Sequence, residues 1–303
     1  MNIKHTLIMA WLSLCLTACS SGGSGDIADV PDTPPPAKEK KEITIDSYVT
    51  AITKATDGGF ELNDKIGLYV VKHNGDAALK TTGNHVDNMR FTLNGSWTPD
   101  TPIFWLDDDT HADFYLYYPY KANISDVRAV DVAVKADQST AEAYKASEVL
   151  AGATRDVAPT ESAVKISAKH MMSQMVIAVK AGDGFKDEEL KNTAMKVVVN
   201  GVKTAATLDI AEATLTAKGS ESTIVPLLAD GCYKALVVPQ TVEECNLITV
   251  TIDGRDFNMK KTFTFVAGKS HSFTVTVNKT SNGINVSIPG WETDDIDNGG
   301  VAE

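Results

Sequence analysis

The polar residues of the chain offer few openings for chemistry, and their spacing decides which are usable. Asp107, Asp108, Asp109 and His111 place three carboxylates and an imidazole within five positions, a donor set that suits a hard cation. They also lie between the apolar stretches FWL and FYLYY, where a solvated acidic turn belongs. Asp294, Asp295, Asp297, Asn298 and Gly299 have the opening of a calcium loop, but no bidentate Glu follows at the distance such a loop needs, so a soluble acidic tail is expected. The six histidines, at positions 5, 73, 85, 111, 170 and 271, never fall at i,i+2 or i,i+4 spacing, so no metal site is expected. No G-x-S-x-G or Walker sequence occurs, and Gly182-Asp183-Gly184 is a lone turn. Nothing nominates a nucleophile with its base, so neither an enzyme nor a cofactor is expected. Trp97, Trp105, Tyr115, Tyr117, Tyr118 and Tyr120 have the chemistry of a sugar-stacking platform. Strand alternation, however, puts Phe114, Leu116 and Tyr118 on one face and Tyr115 and Tyr117 on the other, which assigns most of them to core packing.

One thiol has a distinct setting. Thr6 to Ala18 is an apolar run of about a dozen residues, the length of a signal h-region and too short to span a bilayer. It ends in Leu16-Thr17-Ala18-Cys19, which resembles the lipobox of bacterial lipoproteins, where the thiol is acylated before the chain is cut in front of it. Residues 1–18 are then a lipoprotein signal peptide, and Cys19 is expected to open the mature chain and carry palmitate-type lipid, several chains on one cysteine giving a stable anchor. Residues 19–41 contain Gly/Ser, Pro31, Pro34-Pro35-Pro36 and then Lys38, Lys40 and Lys41, the composition of a tether. The formal net charge is −12, which argues against nucleic acid or anionic lipid as a partner. No second apolar run approaches the length of a membrane span. Cys232 and Cys245 are expected to stay unpaired: a hairpin of Tyr233–Val238 and Leu247–Ile252 around Pro239 would hold them about 20 Å apart, beyond the reach of a disulfide.

From Ile43 onward short strands follow one another. Phe273, Val275 and Val277 alternate with Thr274 and Thr276; Ile284, Val286 and Ile288 alternate with Asn285 and Ser287; Ile248, Val250 and Ile252 alternate with Thr249 and Thr251. Further strands are predicted at 66–71, 89–93, 102–106, 112–118, 149–153, 164–169, 175–180, 196–200, 206–210 and 261–266. Helices are confined to 139–146 and 187–194. The fold class is therefore all-β, built as β-sandwiches with few short helices. The length suits two domains, 42–158 and 159–303, divided at the loop containing Pro159.

Several segments in order look like one family. After the lipobox come Thr53-Lys54-Ala55, FELNDKIGLYV (60–70), WTPDTPIFW (97–105), DFYLYYPY (113–120), VKISAKHMMSQMVIAVKAG (164–182), YKALVVPQT (233–241), FTFVAGKSHSFTVTV (263–277) and IPGW (288–291). The chain resembles the fimbrillin family, the type V pilins of Bacteroidetes-type bacteria, close to its Mfa-like branch. That resemblance implies two tandem transthyretin-like sandwiches with Greek-key topology, secreted as an outer-membrane lipoprotein. It further implies a structural subunit of cell-surface fimbriae that mediates adhesion, with other fimbrial subunits as partners and a host or glycan receptor as a further one. In such pilins a trypsin-like protease cuts behind the first strand and a strand from another subunit fills the groove. Here the first strand is Ile43–Ile52 and the candidate cut is Lys54, where the family more commonly has Arg. The candidate donor strands are Ser272–Asn278 and Gly283–Trp291. A tip or anchor subunit, and a monomeric glycan-binding surface lipoprotein, are the alternative readings.

Overall fold

The computed structural model describes residues 40–49, 59–74, 78–278 and 300–302. In chain order the first elements are β1 (Ile45–Val49), β2 (Lys65–Lys72), β3 (Val86–Leu93), β4 (Trp97–Pro99), β5 (Ala112–Tyr118), β6 (Val130–Ala133), α1 (Ala141–Lys145), β7 (Leu150–Val157) and β8 (Val164–His170). They are followed by β9 (Ser173–Ala181), α2 (Asp187–Asn192), β10 (Met195–Asp209), β11 (Thr214–Ile224), β12 (Leu227–Ala229), β13 (Cys232–Val237), β14 (Gln240–Ile252), β15 (Arg255–Phe265), β16 (Ser270–Val277) and β17 (Gly300–Ala302). The fold is an all-β sandwich with two short helices, as the alternation predicts.

The first sheet has seven strands in the order β1-β8-β7-β5-β2-β3-β4. Its centre is apolar on both faces, because GLYVV in β2 and FYLYY in β5 are continuous apolar runs rather than alternating ones. Leu68, Val70, Phe114 and Leu116 face a core shared with Ile43, Ile45, Trp97, Trp105 and Ile166. Tyr69, Val71, Tyr115 and Tyr117 face a second core. That second core is filled mainly from the other two sheets, β11-β10-β14-β15 and β12-β13-β9-β16-β17. β6, expected from no pattern, pairs antiparallel with β10 from Ala133↔Ala205 to Val130↔Leu208.

Three expectations are corrected. Residues 102–106 form no strand; Phe104 makes an isolated bridge to Glu42. The strands predicted at 196–200 and 206–210 are one long β10 that passes through Gly201 at φ 70°, where one register shift against β11 falls, with a second between Lys203 and Ala205. β13 and β14 do not form a hairpin: β13 pairs with β12 and β9, whereas β14 pairs with β10 and β15. Val237 and Val238 are both fully buried in succession, so the chain crosses between sheets there, and Pro239 has no N–H to continue a ladder. Cys232 and Cys245 are free thiols, as expected.

Candidate assembly site: an edge strand over an apolar groove

β1 borders the seven-stranded sheet and pairs in parallel with β8, from Ile45↔Val164 to Val49↔Ala168. Its side chains follow the period-two rule: Ile43, Ile45 and Ser47 are buried, while Thr44, Asp46 and Tyr48 are exposed. The surface beneath them comes from Val164, Ile166 and Ala168 of β8, with Ile103, Trp105, Trp97 and Phe114 completing the same core. Trp105 packs edge-on against Phe114 with ring centroids 5.6 Å apart, and Phe60 stacks edge-on against Trp97 at 4.9 Å.

The two ends of this segment are held differently. Ahead of and into β1 the backbone is bonded on both sides. The Trp105 N–H donates to the Lys41 carbonyl at 2.9 Å and the Ile43 N–H to the Ile103 carbonyl at 2.8 Å. On the opposite side the Val164 N–H donates to the Thr44 carbonyl at 2.9 Å. Lys41 also pairs with Asp108 at 3.2 Å. Along Ser47–Val49 the ladder runs only to β8, and the contact from the other side is the Trp97 indole Nε1, which donates to the Ser47 carbonyl at 3.4 Å. Such an edge exposes unpaired backbone groups and is a natural place for another strand to add.

Of the residues singled out from the sequence, Cys19, Lys54 and the segment Gly283–Trp291 lie outside the described residues. The other candidate donor, Ser272–Asn278, is largely β16. It is an inner strand, parallel to β9 on one side and to β17 on the other, and Phe273, Val275 and Val277 are buried. Its alternation fills the second core.

The aromatic platform does not form. Trp97, Trp105, Tyr115 and Tyr117 are buried, and Tyr118 is partly buried against the first core. Burial pushes the Tyr118 hydroxyl up to about 12, and it does the same for Tyr69. Asp107–Asp109 is a solvated turn in which Asp107 accepts from the backbone N–H of Asp109 at 3.0 Å and of Thr110 at 2.5 Å. His111 leaves that turn and bonds Asp156 at 2.7 Å, while His73 bonds the buried Asp113 at 2.8 Å. The His111 bond is the main cause of an Asp156 carboxyl below the usual range. Sequence spacing hides this grouping, because β2, β5 and β7 bring its members together from positions 73, 111, 113 and 156. Among the described residues no group of three or more His, Cys, Asp or Glu is placed to hold a metal ion.

A model of the fimbrillin-like family matches residues 53–291, most of the chain. The chain belongs to the fimbrillin-like family. This fimbrillin-like chain is 29% identical over 311 residues to a candidate fimbrium subunit of Bacteroides uniformis, and the match covers 95% of each. A shorter stretch of 103 residues, 34% of the chain, is 33% identical to part of a candidate fimbrium tip subunit of Bacteroides ovatus, covering 17% of that protein. Among solved structures, a candidate cell adhesion protein of Bacteroides uniformis shares the fold with a TM-score of 0.60 and 22% identity, covering 78% of this chain and 93% of that one. Another, from Bacteroides ovatus, shares it with a TM-score of 0.63 and 16% identity over 79% and 93%.

Proposed function

We propose that this fimbrillin-like chain is a structural subunit of a cell-surface fimbrium that serves adhesion and assembles by strand exchange at β1. The observation that carries the mechanism is β1 itself, an edge strand that fills an apolar groove with alternate side chains and, along its second half, has a backbone partner on one side only and a single indole N–H on the other. The match to a candidate fimbrium subunit over nearly the whole length supports the role. The family match begins at residue 53, directly behind the β1 region, which agrees with a first strand that is removed.

In this reading the precursor is an outer-membrane lipoprotein anchored through Cys19, its sandwiches divided near residues 158 and 159. A trypsin-like cut at Lys54 releases lipid, tether and β1 together. Residues 283–291 of a neighbouring copy, whose Ile284, Val286 and Ile288 alternate with polar residues, then enter the vacated groove. Because Trp97, Trp105, Tyr115 and Tyr117 are packed inside the fold, recognition of a host or glycan receptor does not rest on these four rings. The local likeness to a tip subunit favours a second reading, a subunit at the fimbrial tip.

Mass spectrometry of the protein from its native surface tests the scheme. The expected species are a precursor that begins at acylated Cys19 and a mature form that begins at Ala55, with ladders of assembled subunits formed only from the latter. Lys54→Gln is expected to abolish the ladders, and Cys19→Ala to abolish labelling by a fatty-acid analogue. A chain cut at Lys54 that stays monomeric at high concentration overturns assembly by strand exchange.

A further inference from the structure

We infer that Ser47 makes β1 the weaker occupant of its own groove, and that the groove selects a replacement strand carrying a branched aliphatic side chain at the Ser47 position. The inference rests on the reading of β1 as the strand that is exchanged.

Ser47 shares the inward face of β1 with Ile43 and Ile45 and is only 9% exposed. Its Cα partner across the ladder is Ile166, which is fully buried. Among the buried side-chain oxygens and nitrogens of the described residues, the Ser47 hydroxyl is the exception in having no hydrogen-bond partner. The other buried serines show what satisfaction looks like in this fold. The Ser147 hydroxyl donates to the Ala143 carbonyl at 2.9 Å and accepts the Lys135 N–H at 2.9 Å, and the Ser173 hydroxyl donates to the Lys269 carbonyl at 3.4 Å. A hydroxyl taken from water without a new bond opposes burial, and a methyl in the same place favours it. β1 therefore carries an uncompensated penalty in the half of the strand that also lacks a second backbone partner.

The segment Ile284-Asn285-Val286-Ser287-Ile288 is matched to this defect. Three branched aliphatics at period two correspond to the three inward positions 43, 45 and 47. Because the pattern reads Ile-Val-Ile in both directions, a strand inserted parallel or antiparallel to β8 places an isoleucine where Ser47 lies. The exchange then runs downhill: the outgoing strand returns its unbonded hydroxyl to water, and the incoming one of a second copy buries a branched aliphatic side chain in its stead.

The test uses the full chain with a unique protease site placed in residues 50–58, so that after cutting β1 is held without a covalent link. An excess of synthetic peptide spanning residues 283–291 is added, and the freed N-terminal fragment is followed by size exclusion and mass spectrometry. Relative to the parent, Ser47→Val and Ser47→Ala are expected to slow release roughly tenfold and severalfold. Asp46→Ala, an exposed neighbour, leaves the rate unchanged. A peptide with serine in place of both Ile284 and Ile288 is expected to displace β1 roughly tenfold less well. In the uncut chain Ser47→Ala raises the thermal midpoint by about 2–4 °C. Equal release from all variants, with the parent fragment still displaced, overturns the role of Ser47 and leaves strand exchange standing. A fragment that stays bound in every variant under peptide excess overturns strand exchange and this inference with it.

Discussion

Gln138 and Leu236, 98 positions apart, hold each other through two hydrogen bonds. The Leu236 N–H donates to Gln138 Oε1 at 2.8 Å, and Gln138 Nε2 donates to the Leu236 carbonyl at 2.8 Å. The side-chain amide thus does for β13 what a neighbouring strand would do, and it is fully buried while doing so.

Gln138→Leu keeps the volume and removes both bonds, leaving a backbone donor and acceptor of Leu236 unsatisfied in the core. At roughly 1–3 kcal/mol for each buried group left without a partner, a stability loss of about 2–4 kcal/mol is expected in denaturant titration. A loss under about 0.5 kcal/mol would show that water replaces the amide.

Val237→Asp and Val238→Asp should both be severe. Each side chain is fully buried where the chain passes from one sheet to the other, so either substitution buries an unpaired carboxylate at a cost of several kcal/mol against a total of about 5–15. The measurement is the thermal midpoint. A mild effect of either would mean that the crossing can turn that side chain to solvent.

Gly152→Ala should weaken the support of β1 without touching it. A Cβ at Gly152 would fall 2.1 Å from the backbone carbonyl oxygen of Ser167, so β7 and β8 must separate to admit a methyl group. A loss of about 1–3 kcal/mol is expected, with faster proteolysis of residues 40–49 than in the parent. Unchanged proteolysis would indicate that β8 absorbs the shift away from β1.

Acid should loosen the turn before β5. Bonds from the backbone N–H and the hydroxyl of Thr110, then from the Asp109 N–H, hold the Asp107 carboxyl below its ordinary value. A carboxyl depressed in the folded state stabilises the fold above its unfolded-state pKa, near 3.9, and loses that contribution as the pH falls through the lower folded value. Asp107→Asn is therefore expected to be slightly less stable than the parent at pH 7 and to converge with it as the pH falls through the lowered folded-state value. Parallel pH profiles would show that the turn does not report on Asp107.

Much of the fold was legible because the strands obey simple periodicity. β5 and β8 lie where alternation and apolar runs put them, and both helices fall within the stretches marked for them. β6 and β11 were missed for opposite reasons. VDVA in β6 is too short to carry a signal, and TLTAKGSESTI in β11 is an exposed edge strand whose polar composition reads as loop. The separation of β13 from β14 was missed because a proline between two apolar strands fits a hairpin and a change of sheet equally well. At the candidate site, the inward pattern of Ile43, Ile45 and Ser47 could be read in advance. The unbonded hydroxyl could not, since it depends on what the fold places around it.

The bonding around β1 also gives it a mechanical polarity. Tension entering through the chain before Lys40 and directed along the strand meets backbone bonds from Ile103, Trp105 and Val164 together, so they share the load. Tension entering from behind Val49 and directed away from the sheet meets a strand whose backbone is paired on one side only, so its ladder bonds break one after another. A segment held in this way resists being dragged out from the front and yields to being peeled from the back.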